Sequence, residues 1–205
     1  PVDTVVGTSM GSVIGAVPAQ GLPGGARREA VAAQVSKLLD YTLPLVSVIS
    51  GRRISASIEQ QFGGWEIGDM WTPYACVSTS LTHSERRAHR SGALDRCIRA
   101  SVAIPGVLPP VPAGDELLVD GGVLDNLPIG LLTEDPAIGT VIASDVAPIR
   151  GPKAHDDYGT SVSGWKAMRS RLVGKKTGYP GILLTLMRST LVSSTRDRNA
   201  YVGSG

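Results

Sequence analysis

This chain is short of aromatic residues, of cysteine, of net charge and of long apolar runs, and each shortage removes a class of protein. Aromatics make up 4% of the sequence and the formal net charge is only +2. A nucleic-acid binder is therefore not expected, since it needs a basic surface and benefits from rings on which bases can stack. Arg86-Arg87 and the arginines at 169 and 171 have no interleaved aromatics and read as a solvated basic face. Cys76 and Cys97 are too few for a disulfide framework and lack metal-ligand spacing, which points to a reducing compartment and to no metal. The longest apolar stretches, 41–49 and 181–187, fall well short of the roughly 20 residues a spanning helix requires. With no leader-like segment at its start, the chain is expected to be cytoplasmic.

What the sequence has in quantity is glycine, 25 residues, and proline, 14, in a chain of 205. That composition suits one α/β domain with many tight turns, a core over 1–150 and a helical remainder over 151–205. Val2 to Val6 reads as a buried strand at the very start, so an N-terminally truncated piece of a longer protein is expected. Met10 to Val17 reads as a helix ending near Pro18, and Arg27 to Leu39 and Ser55 to Phe62 as further helices. Tyr74 to Leu81 alternates as a strand does, and a polar hairpin follows over 82–92. Leu94 to Ile104 is the next helix, Leu108 to Pro112 is extended, and Glu116 to Val119 is a short strand. Asn126 is placed to cap a helix over Leu127 to Leu132, and Thr140 to Ser144 reads as another strand. Helices are expected again over 165–172 and 182–192.

Gly7-Thr8-Ser9-Met10-Gly11 carries the first chemical signal. A Gly-x-Ser-x-Gly match arises by chance roughly 0.3 times in a chain of this composition, so its surroundings decide its weight. Here it follows a strand and opens a helix of small residues, the setting of a nucleophile elbow. Such a turn holds a serine hydroxyl out at a helix N-terminus, where first-turn amides, that of Met10 foremost, can bind a developing oxyanion. The flanking Gly7 and Gly11 are expected to permit the turn and the approach of the helix to the sheet. The hydroxyl also needs a base, and two routes are open. One is Asp120, at a strand end before Gly121 and Gly122; the other is a triad with Asp120 or Asp145 as acid and His155 as base. His83, His89 and His155 all lie in polar segments that read as solvated surface.

Three segments taken together extend this reading: Val5 to Ser12, Arg99-Ala100-Ser101-Val102-Ala103-Ile104-Pro105-Gly106 leading to Pro109-Pro110-Val111, and Val119-Asp120-Gly121-Gly122 running on to Pro128. In this order they resemble the patatin-like phospholipases. Leu186-Met187-Arg188-Ser189-Thr190 resembles the bacterial relatives of neuropathy target esterase within that family. The resemblance implies a three-layer α/β/α fold and a Ser9–Asp120 dyad without histidine. It also implies hydrolysis of phospholipid or lysophospholipid acyl esters through an acyl-serine, with no cofactor. A carboxylate near its ordinary pKa is a weak base, so such a dyad is expected to depend on proximity and a preorganised oxyanion site.

Members of the family also carry a Gly-Gly-Gly-x-Arg-Gly oxyanion loop upstream of the elbow. Gly24-Gly25-Ala26-Arg27 matches it in letters only, because it follows the elbow helix, so the piece in hand is expected to be poorly active. The same dyad would serve an acyltransferase or an amide hydrolase. A noncatalytic anion-binding module built on the Gly-rich turn is the reading from another class. A lipid substrate further implies peripheral membrane contact, for which Trp65, Trp71 and the 41–49 segment are the candidates.

Overall fold

One strand that is buried along its whole length organises the molecule in the computed structural model, which describes residues 2–22, 24–25, 50–146 and 185. This is β2 (Tyr74–Ser80), and every residue in it is 5% exposed or less. Tyr74, Cys76, Ser78 and Ser80 point to one side and Ala75, Val77 and Thr79 to the other, as a period of two requires. The alternation expected from the sequence is thus present in the chain but separates two covered faces, not core from water. Both faces carry a layer.

Register explains how the other strands are arranged. β1 (Val5–Thr8) runs parallel to β2, from Val5 opposite Tyr74 to Thr8 opposite Val77. β3 (Glu85–His89) pairs antiparallel over Cys76 to Ser80. β5 (Glu116–Asp120) also pairs antiparallel, with Asp120 opposite Ser78 and Leu118 opposite Ser80, and β4 (Val111–Ala113) hangs on β5. A strand has two edges, and β3 overlaps the stretches used by both β1 and β5. Hence β1 and β5 share the opposite edge, approaching from opposite directions until Thr8 and Asp120 face consecutive residues of β2.

On the Tyr74 side lie α1 (Met10–Ala19), α2 (Arg52–Phe62) and α3 (Leu94–Ser101). Ile54, Ile58 and Phe62 recur at four-residue spacing along α2, and they join Val13, Val17, Leu94, Ile98, Tyr74 and Cys76 in one buried cluster. On the Val77 side lies the segment after β5, with a single 3-10 turn (Gly121–Val123) and α4 (Gly130–Thr133). Asp125 ties that segment down: its carbonyl accepts from Thr8 Oγ1 at 2.9 Å and its carboxylate from Arg86 at 2.8 Å. The result is the expected α/β/α layering around a mixed sheet.

Several boundaries differ from the sequence reading. β1 begins at Val5, α1 runs on to Ala19 with Pro18 in its last turn, and α3 stops at Ser101. The helix expected from Leu127 starts only at Gly130, and Asn126 does not cap it. Pro128 biases Leu127 away from helical geometry, and the Ile129 amide instead donates to the Leu127 carbonyl at 2.7 Å. Thr140 to Ser144 forms no strand, and Ile142 is 91% exposed. An apolar β-prone run becomes a strand only where a sheet edge receives it, and no edge among the described residues does so here. Arg27 to Leu39, residues 41–49 and the helices expected over 165–172 and 182–192 lie outside the described residues, Thr185 excepted. No helix among the described residues is long and apolar enough to cross a membrane.

Candidate active site

The turn between β1 and α1 is reversed within a single residue. Ser9 has φ 54° and ψ −128°, a backbone conformation that side-chain-bearing residues rarely adopt. Gly7 makes the tight return possible: a Cβ there would land on the Gly11 carbonyl and 2.7 Å from the Ser12 nitrogen. Gly11 is different, because nothing lies within 4 Å of where its Cβ would be. The two glycines of the motif therefore differ in role, and only Gly7 is required by the approach of helix to strand.

Hydrogen bonds hold both peptide groups of the strained residue. Ser12 donates to the Ser9 carbonyl through its hydroxyl at 2.6 Å and its amide at 2.9 Å. The Ser9 amide donates to Ser101 Oγ at 3.0 Å, and Ser101 in turn donates to the Val77 carbonyl at 2.6 Å. Neither Ser12 nor Ser101 was singled out by the sequence. The available signal for Ser101 was a small polar residue in the Arg99–Gly106 segment at the end of an otherwise core-facing helix.

Asp120 ends β5 and is 4% exposed. Ser9 Oγ donates to its Oδ2 at 2.6 Å, across 111 residues of sequence. The Gly122 amide donates to Oδ1 at 2.7 Å, and the Asp120 amide donates to the Ala103 carbonyl at 2.9 Å. Gly121 is constrained by space, since a Cβ there would strike the Val77 carbonyl and come within 2.9 Å of Thr8 Cγ2. Gly122 contributes its amide. Burial pushes the Asp120 carboxyl up to about 6, against the opposing pull of the bonds from Ser9 and Gly122. The expectation of a carboxylate near its ordinary value is thereby corrected; desolvation raises its basicity.

The other acids and bases weighed from the sequence lie elsewhere. Asp145 is exposed, and His155 is outside the described residues. His83 is exposed and sits 3.8 Å from Glu116. His89 is not the solvated residue its surroundings in the sequence suggested: its Nε2 lies 2.7 Å from Ser78 Oγ, tying β3 to β2. Burial, assisted by Arg87, lowers its pKa. Cys76 and Cys97 are buried thiols, and desolvation raises both, Cys76 far above the ordinary thiol value and Cys97 to about 11, so they are poor nucleophiles there.

The amides of Met10 and Gly11 stand in the first turn of α1, where a helix leaves donors without intrahelical acceptors. Next to them opens an apolar groove of about 280 Å³, lined by Met10, Ile14, Leu127, Ile129 and Leu132 among others. Of the two tryptophans considered for membrane contact, Trp71 is 81% exposed and Trp65 packs against the core. Gly24 and Gly25 are exposed.

Comparison with known proteins adds an independent line. The family model described as patatin-like phospholipase matches residues 1–133. The chain is 38% identical over 184 residues to patatin-like phospholipase domain-containing protein 6 of Mus musculus, covering 84% of this chain and 13% of that protein. It is 37% identical over 178 residues to Lysophospholipase NTE1 of Debaryomyces hansenii, covering 83% and 11%. Patatin-like phospholipase domain-containing protein 7 of Rattus norvegicus is 37% identical over 174 residues, covering 80% and 13%. The chain therefore corresponds to a small part of each of these relatives.

Proposed function

The chain belongs to the patatin-like phospholipase family, and from that membership we propose that it carries the catalytic dyad of a serine esterase acting on phospholipid or lysophospholipid acyl esters. The observation that carries the proposal is the 2.6 Å hydrogen bond from Ser9 Oγ to Asp120 Oδ2 at a strained strand-to-helix turn. In the first step Ser9 Oγ bonds to the ester carbonyl carbon while its proton passes to Asp120. Negative charge collects on the carbonyl oxygen, where the Met10 amide and the α1 N-terminus offer stabilisation. The tetrahedral adduct then expels the alcohol portion of the lipid, which leaves with the proton from Asp120. Water attacks the acyl-serine, gives a proton to Asp120, and releases the fatty acid as Ser9 recovers its hydrogen.

A pKa near 6 suits this role. At pH 7 Asp120 is about nine-tenths ionised, yet it is roughly a hundredfold stronger as a base than an ordinary aspartate. The apolar groove beside Met10 favours a substrate with an acyl chain. A binding role for a free phosphate at the same turn is disfavoured by the buried carboxylate at hydrogen-bond distance from Ser9, because two anions would face each other.

The test is fluorophosphonate labelling and lysophospholipid hydrolysis by the full-length protein and its Ser9→Ala and Asp120→Asn variants. Both activities are expected to vanish in the first and to fall steeply in the second. Undiminished hydrolysis by Ser9→Ala would end the proposal. Access to such a substrate also calls for contact with a membrane surface from the cytoplasmic side, for which exposed Trp71 is the candidate anchor. Liposome flotation of the intact protein and of Trp71→Ala tests it: recovery of both wholly in the soluble fraction overturns that part.

A further inference from the structure

The two members of the dyad are far apart in sequence and belong to strands that do not pair with each other, so something must set them at hydrogen-bonding distance. β2 aligns their strands, but a ladder fixes backbone register, not the placement of a strained turn that lies beyond it. Two residues at the end of α3, with Val102 between them, each take hold of one of the turns. Ser101 Oγ accepts from the Ser9 amide at 3.0 Å, and the Ala103 carbonyl accepts from the Asp120 amide at 2.9 Å. We propose that Ser101-Val102-Ala103 is a positioning element that holds the nucleophile and the base of this site in mutual register, with the Ser101 hydroxyl as its critical group.

Burial and bonding make the Ser101 hydroxyl fit for the task. Ser101 is fully buried, so water cannot replace the acceptor it offers to Ser9. Its own hydrogen is committed to the Val77 carbonyl at 2.6 Å, which turns a lone pair toward the Ser9 amide and fixes the rotamer. Val77 faces Thr8 across the β1–β2 ladder, so the hydroxyl is tied through β2 to the strand that leads into the nucleophile. Val102 and Ala103 are 5% and 0% exposed, which leaves this element little freedom to drift. Ser101 would touch no substrate atom; it acts through Ser9, whose φ of 54° makes the turn costly to hold without help.

The proposal rests on the dyad reading, and the test separates the two. Ser101→Ala, Ser101→Cys and Ser101→Thr are compared with Ser9→Ala in the intact protein, using steady-state hydrolysis of a lysophospholipid across pH. Ser101→Ala is expected to lower kcat about 10- to 100-fold with KM nearly unchanged, and Ser101→Cys to follow it, because a thiol is a weak donor and acceptor. Ser101→Thr, which keeps the hydroxyl, is expected to recover most of the rate. The acid limb of the pH profile is expected to move to higher pH in Ser101→Ala, since a displaced Ser9 no longer lowers the Asp120 pKa through its hydrogen bond. A merely structural role would not shift that limb.

If Ser101→Ala does not fold, Ser101→Cys carries the test. Wild-type kcat and an unshifted limb in the variant that folds, with Ser9→Ala inactive, overturn the positioning role and leave the dyad standing. Activity retained in Ser9→Ala overturns both.

Discussion

The elbow around Ser9 and the turn after Asp120 present the same outline, a member of the proposed dyad beside glycines at the end of a strand, and they are set up by opposite means. Ser9 is half-buried and held in a rare backbone conformation, while Asp120 has ordinary backbone angles and is almost wholly buried. One turn stores conformational strain; the other stores the cost of keeping a carboxylate from water. The glycines do not divide along that line. Gly7 and Gly121 leave room for neighbouring backbone, Gly122 contributes an amide, and Gly11 faces open space. Each turn thus needs one glycine for room, and the turn after Asp120 draws an amide from a second.

The comparison breaks first if the two residues are not partners. Ser9→Ala is expected to reduce lysophospholipid hydrolysis by roughly 10³-fold or more, and Asp120→Asn by a comparable factor. Equal losses in the single variants and no further loss in the double variant, measured as kcat/KM, are the signature of a unit. Next come the glycines. Gly7→Ala and Gly121→Ala push a methyl group into fixed backbone and should each cost on the order of 3 kcal/mol or more, or prevent folding. Gly11→Ala, within α1 and facing open space, should instead stabilise by about 0.5–1 kcal/mol in urea unfolding.

The stored desolvation makes a prediction of its own. Because the folded-state pKa of Asp120 is raised from 3.8 to about 6, the native state binds this proton more tightly than the unfolded chain does. Its contribution to stability therefore falls as pH rises from about 4 to 6, and the deficit is complete above that window. Asp120→Asn removes the charge and should be more stable than the parent by about 1–3 kcal/mol at pH 8, with the difference gone near pH 3.5. Urea unfolding at the two pH values checks it, and equal stability at pH 8 would show that the carboxylate is not strained. The smallest effect is kinetic: kcat/KM should decline tenfold per unit as pH drops below about 6. An acid limb near 4 instead would return Asp120 to the ordinary carboxylate behaviour expected from the sequence.

Much of the fold was legible because it is written in local pattern. Tyr74 to Leu81 alternates as a strand does, Ser55 to Phe62 reads as a helix and Glu116 to Val119 as a strand, and each lies within a few residues of the element observed. Thr140 to Ser144 carried the same kind of signal and forms no strand, because pairing depends on an edge that local residues cannot supply. The helix after Asn126 was misplaced for a local reason that was visible, the restriction Pro128 imposes on Leu127. His89 departs from the solvated position its neighbours imply, because polarity along the chain does not report packing against Ser78 of the adjacent strand.

Local sequence is enough to set Ser9 on a strand-to-helix turn, to end a strand at Asp120 before two glycines, and to show which family these segments resemble. Those features depend on residue type and short-range order, and both are present in the letters. Packing of the whole chain is needed for β1 and β5 to abut on one edge of β2, for burial to lift Asp120 to about 6, and for Ser101 and Ala103 to hold one turn each. Distance, desolvation and hydrogen-bond partnership between residues about a hundred positions apart arise from packing, which no local stretch of chain contains.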